Sequence, residues 1–287
     1  MKHALLALAL LGVALTARPQ AQFHSGVQVV RVDASVTRDK VPVQGLTARD
    51  FVVTDNGMDQ EVESVTLERA PLDVTLVLDT SESVSGDRLT HLLSAADGLI
   101  GALRPGDRVG LMTFSQAVHV RVPATEDFAS VRYSLAGITA GGDTALCDAV
   151  QLALALGGGD DIRRPLILVF TDGVDFGSWL SEDDVLDSAR RAGVVVHAVT
   201  IESEARDFST SRFVERLAAA TGGRAWSAAS NRDLDSLFTR ALEEMRARYL
   251  LTFTPSDAPQ PGWHQLKVRL RSAKGDVVAR PGYFVAR

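Results

Sequence analysis

Val74-Thr75-Leu76-Val77-Leu78-Asp79-Thr80-Ser81-Glu82-Ser83 is the stretch on which the reading of this chain turns. Val74 to Leu78 has the make-up expected of a strand buried on both faces, as in a parallel sheet. Beyond its end Asp79, Ser81 and Ser83 alternate, so in an extended turn they converge on one point. One carboxylate and two hydroxyls make an oxygen-rich site suited to a hard divalent cation such as Mg²⁺. The plain alternative is helix capping by Ser83 or Ser85.

Downstream, strand and helix patterns alternate. Leu89, Leu92, Leu93, Ala96, Leu99, Ile100 and Leu103 recur at helical spacing. Strands are predicted at Val109 to Phe114, Val118 to Val122, Leu166 to Phe170, Val194 to Ile201 and Arg224 to Ser227. Helices are predicted at Thr144 to Leu156, Glu182 to Ala192, Arg212 to Ala220 and Asp233 to Arg248. Such alternation predicts a mostly parallel sheet covered on both faces.

Two further loops join the first. Gly141-Gly142-Asp143-Thr144 precedes a helix, and Phe170-Thr171-Asp172-Gly173 ends a buried strand. In an open α/β sheet, ligands bind outside the carboxyl ends of the strands. Asp79, Ser81, Ser83, Thr144 and Asp172 then supply five oxygen-bearing side chains from three separated loops.

Both ends of the chain carry a β pattern instead. Short β-branched runs fill Val27 to Leu67, with a tight-turn signal at Asp55-Asn56-Gly57. Tyr249 to Phe253, Gln265 to Leu270 and Val277 to Val285 are strand-like. Neither end suffices for a core alone. The simplest organisation is one small β-sandwich built from residues 22–70 and 249–287, with residues 71–248 inserted. Two loose extensions are the alternative. Met1 to Ala17 reads as a secretory signal peptide, with cleavage after Ala17 or Ala21. No later segment is apolar and long enough to span a bilayer. These patterns predict an exported protein, periplasmic or secreted. The 287 residues carry a net charge of −6, which argues against a nucleic-acid partner. The single cysteine, Cys147, excludes an internal disulfide framework and reads as a small buried residue.

With Asp79-Thr80-Ser81-Glu82-Ser83, Thr144 and the Asp172 of Thr-Asp-Gly in view, residues 72–248 resemble the von Willebrand factor type A domain. The flanks Gly45 to Phe51 and Arg280-Pro281-Gly282-Tyr283 resemble those of exported bacterial relatives. The resemblance implies a doubly wound, mostly parallel six-stranded α/β sheet of order 3-2-1-4-5-6, with Val118 to Val122 as an antiparallel edge. It also implies a metal-ion-dependent adhesion site. Ser81 and Ser83 would bind Mg²⁺ (or Mn²⁺ or Ca²⁺) directly, Asp79 and Asp172 largely through water, and Thr144 in either way. An acidic residue of a protein partner would complete the octahedron. Glu82 and Cys147 depart from the family's usual residues, at positions that are not ligands.

Enzyme classes find less support. A haloacid dehalogenase-type hydrolase needs a second Asp where Ser81 stands. No Walker A or Gly-x-Ser-x-Gly motif is present. The six His are scattered, and His91, His119 and His197 read as surface or satisfied structural residues. A metal-assisted hydrolase would need a base from Asp143, Asp148 or Asp175. Asp143 and Asp175 read as rim charges, and Asp148 as a helix residue one turn past Thr144. A scaffold with a purely structural metal is a third reading. Arg163-Arg164 and Arg190-Arg191 read as solvated faces, and Gly157 to Asp161 as a flexible loop.

Overall fold

Val30, Val32, Ala34 and Val36 share the apolar face of Val30–Arg38, the period-two pattern of a strand, and in its second half Ser35 and Thr37 on the opposite face are buried as well. This is β1 of a computed structural model that describes residues 29–39, 41–67, 69–157, 163–172, 174–201, 208–256, 260–272 and 274–285. The segment read as a signal peptide and most of the Gly157 to Asp161 loop lie outside the described residues. β2 (Val41–Pro42) and β3 (Phe51–Asp55) follow. Asn56 and Gly57 both adopt positive φ, at 48° and 86°, and turn the chain tightly into β4 (Met58–Gln60), as the Asp-Asn-Gly run predicts. β5 (Ser64–Leu67) comes next.

The α/β unit then begins with β6 (Leu72–Asp79) and α1 (Asp87–Gly101). β7 (Arg108–Phe114), β8 (Val118–Thr125), α2 (Phe128–Ala136) and α3 (Leu146–Leu156) follow. β9 (Arg164–Thr171), α4 (Glu182–Arg191), β10 (Val195–Ile201) and α5 (Phe208–Thr221) continue the alternation. β11 (Ala225–Ala228) and α6 (Leu234–Arg246) complete it. The sheet order is β11-β10-β9-β6-β7-β8. All its pairs are parallel except β7 with β8, so the expected order and the antiparallel edge both hold. One apolar layer packs α1 and α6 on one face, and a second packs α3, α4 and α5 on the other. α2 has no counterpart in the sequence reading. Asp127 caps it, accepting from Ser130 N at 3.2 Å, and it buries only Val131 and Leu135. α3 starts at Leu146 rather than Thr144, which leaves Thr144 in the preceding loop.

Four strands close the chain: β12 (Tyr249–Phe253), β13 (Gly262–Leu270), β14 (Asp276–Ala279) and β15 (Gly282–Val285). They pair with the first strands, not only with each other. One flanking sheet runs β14-β1-β12-β5, with β2 beside β1, and the other β15-β13-β3-β4. Val32, Phe51, Val53, Leu251, Phe253, Leu266 and Val285, drawn from both sheets, share one apolar cluster. Leu67 and Tyr249, the residues on either side of the α/β unit, are cross-strand partners in β5 and β12. Asp107 draws the unit's own ends together. It accepts from Leu72 N at 2.8 Å and pairs with Arg246 at the end of α6.

Two buried charge groups sit where the α/β unit meets the flanking sheets. Arg248, fully buried, lies 3.5 Å from Glu244 and donates to the carbonyls of Gly222 and Val278. His197 Nδ1 accepts from Arg224 N at 2.9 Å, and its Nε2 lies 2.6 Å from Glu244 Oε2. Burial alone would raise the Glu244 carboxyl. Arg248 and His197 override it and hold the group well below the usual glutamate range. Gly222 has φ 75°, and a Cβ there would strike the backbone of Arg280, so this junction requires glycine. Arg164 is also buried, donating to Met245 O at 3.0 Å and to Asp33 at 2.8 Å. The expectation of a solvated Arg163-Arg164 face is therefore wrong. Arg163 too is held, by Gly106 O and Glu126.

Candidate metal centre

β6 delivers Asp79 at its carboxyl end, fully buried. Its Oδ1 accepts from Ser81 N at 2.9 Å and its Oδ2 from the Thr171 hydroxyl at 2.7 Å. The Ser81 and Ser83 hydroxyls lie 3.1 Å apart, and Ser83 Oγ donates to Asp172 Oδ1 at 2.8 Å. Asp79, Ser81, Ser83 and Asp172 thus form one continuous chain of contacts across the ends of β6 and β9. Thr144 comes from the third loop, which is stitched to the first. Gly141 N donates to Thr80 O at 2.8 Å, and Glu82 N to Gly142 O at 2.9 Å. Gly142, at φ 87°, gives that loop a turn that few other residues adopt. Thr144 is 5% exposed, Ser81 2%, and the Asp172 side chain 1%.

Burial pushes the Asp79 carboxyl above its ordinary range, against the hydrogen bonds from Ser81 and Thr171. A carboxylate so placed is electrostatically incomplete, and a nearby cation relieves it. The donors are all hard oxygens, which fits Mg²⁺ or Mn²⁺. Among the described residues no group of three His, Cys, Asp or Glu could hold a metal, so a cation here would depend on hydroxyls.

Two residues of this centre escape the sequence reading. Thr171 positions Asp79 by its hydroxyl, and it stood beside Asp172 in the quoted motif. Arg88, in the first turn of α1, pairs with Asp172 and donates to Ser83 O at 3.1 Å. Its distance of five residues from Ser83 carried no recognisable signal. Asp175 is not a rim charge. It accepts from Cys147 N at 2.8 Å and Ser178 N at 3.0 Å. Asp148 accepts from Trp179 N and Leu180 N. Cys147 is buried. Burial, and then Asp175, push its thiol far above the ordinary range, so it is held protonated.

An open α/β sheet with polar loops gathered at the carboxyl ends of its central strands defines a ligand-binding α/β domain. Residues 74–174 match the family model of the von Willebrand factor type A domain. Solved structures agree in fold. The von Willebrand factor type A protein from Catenulispora acidiphila is 12% identical, with a TM-score of 0.57 over 87% of this chain and 76% of that one. The vWF domain of the type V pili tip protein Mfa5 from Porphyromonas gingivalis is 13% identical, with a TM-score of 0.52 over 61% and 95%. An aerotolerance-related membrane protein from Bacteroides fragilis is 20% identical, with a TM-score of 0.50 over 61% and 98%. No curated protein matches the chain.

Proposed function

We propose that this protein is an exported, metal-dependent protein-binding module. Its site would hold Mg²⁺ through Asp79, Ser81, Ser83, Thr144 and Asp172. The cation, when bound, offers a position to a carboxylate of a partner protein. The observation that carries the reading is the linked oxygen cluster at the ends of β6 and β9, with Asp79 buried and its charge unmatched. Type A domains act broadly in protein interaction, and one structural neighbour is a pilus tip protein. A hydrolytic reading loses two of its three candidate bases, because Asp148 and Asp175 accept backbone N–H bonds. Among the described residues no helix is long and apolar enough to cross a membrane. Calorimetric titration with Mn²⁺ and Mg²⁺ tests the site. Asp172→Ala should lose most of the affinity; unchanged binding would remove Asp172 from the ligand set.

Arg88 bears on the strength of the site. Its guanidinium already neutralises Asp172 and stands as a like charge beside an incoming cation. Arg88→Gln is expected to tighten Mn²⁺ binding about tenfold, the size expected of one screened charge at short range. Weaker binding in the same titration would make Arg88 a support for Asp172 and not a competitor.

We further propose that the flanking strands form one discontinuous β-sandwich into which the α/β unit is inserted. The pairing of Leu67 with Tyr249 supports this, since insertion is tolerated where the ends lie close. A chain in which residues 68–248 are replaced by a short turn should fold cooperatively, read by circular dichroism and urea melting. A structureless product would refute the arrangement.

A further inference from the structure

The segment between β9 and α4 holds large apolar side chains in solvent on a backbone that is tied down. Phe176 is 81% exposed, Trp179 96% and Leu180 38%. Single exposed apolar residues are ordinary, but three within five positions form a patch. Phe176 N and Gly177 N both donate to Thr144 O, at 3.1 and 2.9 Å. Ser178 N donates to Asp175, and Ser178 Oγ accepts from Asp148 N at 3.1 Å. Trp179 N and Leu180 N donate to Asp148. Ser181 then caps α4, accepting from Asp184 N. The rings are therefore carried on a preset backbone, which lowers the ordering cost of any contact they make. Exposed tryptophan on such a support is the residue type that dominates binding energy at protein interfaces.

The position of the patch says what would cover it. It starts at the carbonyl of Thr144, so it is continuous with the candidate metal centre. Glu82, between Ser81 and Ser83, and Asp143, next to Thr144, are exposed acids. A partner with a run of acidic residues would meet repulsion there. One with a single carboxylate beside a bulky apolar side chain would not, and its apolar group would be turned toward the rings.

We propose that Phe176, Trp179 and Leu180 form a docking surface for a bulky apolar side chain of a protein partner, next to the carboxylate which that partner presents at the Thr144 loop. The proposal rests on the metal-centre reading above and names the partner's second feature.

The probe is a random peptide library displayed on phage, panned against the full chain in Mg²⁺. Enriched peptides should carry one Asp or Glu adjacent to Leu, Ile, Phe or Trp. Synthesised, they should bind Trp179→Ser and Phe176→Ser 10- to 100-fold more weakly, while Mn²⁺ affinity, the far-ultraviolet circular dichroism and the urea midpoint stay unchanged. Peptides that lose affinity in Trp179→Ser yet bind the wild type equally well in EDTA support the docking surface and refute the metal's part in recognition. Failure to enrich any peptide, or equal binding by wild type and both variants, overturns the proposal. So does concentration-dependent dimerisation abolished by Trp179→Ser in the absence of any peptide selection, since a second copy would then be the occupant.

Discussion

Glu244→Gln is expected to lower the unfolding free energy by about 3–5 kcal/mol, the cost of removing one partner from a buried ion pair. The substitution keeps the size of the side chain and removes its charge. Arg248, fully buried, then faces only carbonyl acceptors, and His197 Nε2 loses its carboxylate. Urea denaturation at neutral pH measures the loss directly. The dependence on pH distinguishes charge from packing. Glu244 is held below its ordinary range in the folded protein. Its contribution is therefore complete above the unfolded-state value of about 4.3 and drains away as pH falls below it toward the folded value. The gap between wild type and variant should narrow on acidification through that window. A constant gap from pH 7 to pH 3 would assign the loss to packing alone.

Asp79→Asn is expected to separate stability from binding. Divalent-cation affinity should fall at least a hundredfold, because the site would lose one of its two carboxylates. The metal-free protein should be as stable as wild type, or more stable by roughly 1 kcal/mol, since burying an unmatched charge is costly and the amide is neutral. Asn retains an acceptor for Ser81 N and gains a donor toward Thr171. Thermal melts with and without Mn²⁺ read both quantities. Wild type should gain about 2.7 kcal/mol at a cation concentration 100 times its dissociation constant, and the variant, at a hundredfold weaker affinity or less, at most about 0.4 kcal/mol. A variant that gains as much as wild type in Mn²⁺ would show that the cation binds elsewhere.

What the sequence carries is determined by how local each feature is. The strands β6, β9 and β10 are buried on both faces, so their runs stand out without a partner being known. The three site loops each follow such a strand or precede a helix, and they could be placed from that alone. α2 fully buries Val131 and Leu135 alone, with Phe128 half-buried against the same core, too few positions to establish a period. Arg88, Arg164 and Arg248 fail for a different reason. A charged residue in isolation reads as surface. Its burial is set by acceptors far away in the chain, such as Asp172 for Arg88, Asp33 for Arg164 and the carbonyls of Gly222 and Val278 for Arg248. Asp175 was misplaced for the same reason, because its partners are backbone amides on α3 and in its own loop.

The antiparallel pairing of Leu67 with Tyr249 has a mechanical consequence. Tension applied at Val30 and Val285 enters through β1 and β15, is carried by their neighbours β12, β14 and β13, and is shunted by the β5–β12 hydrogen bonds across the base of the α/β unit. Behind them, Asp107 still clasps the start of β6 to the end of α6. The face that carries the candidate metal centre stays slack until both fastenings open. A partner held there could bear load through its own contact without the pull on this chain prising the binding loops apart.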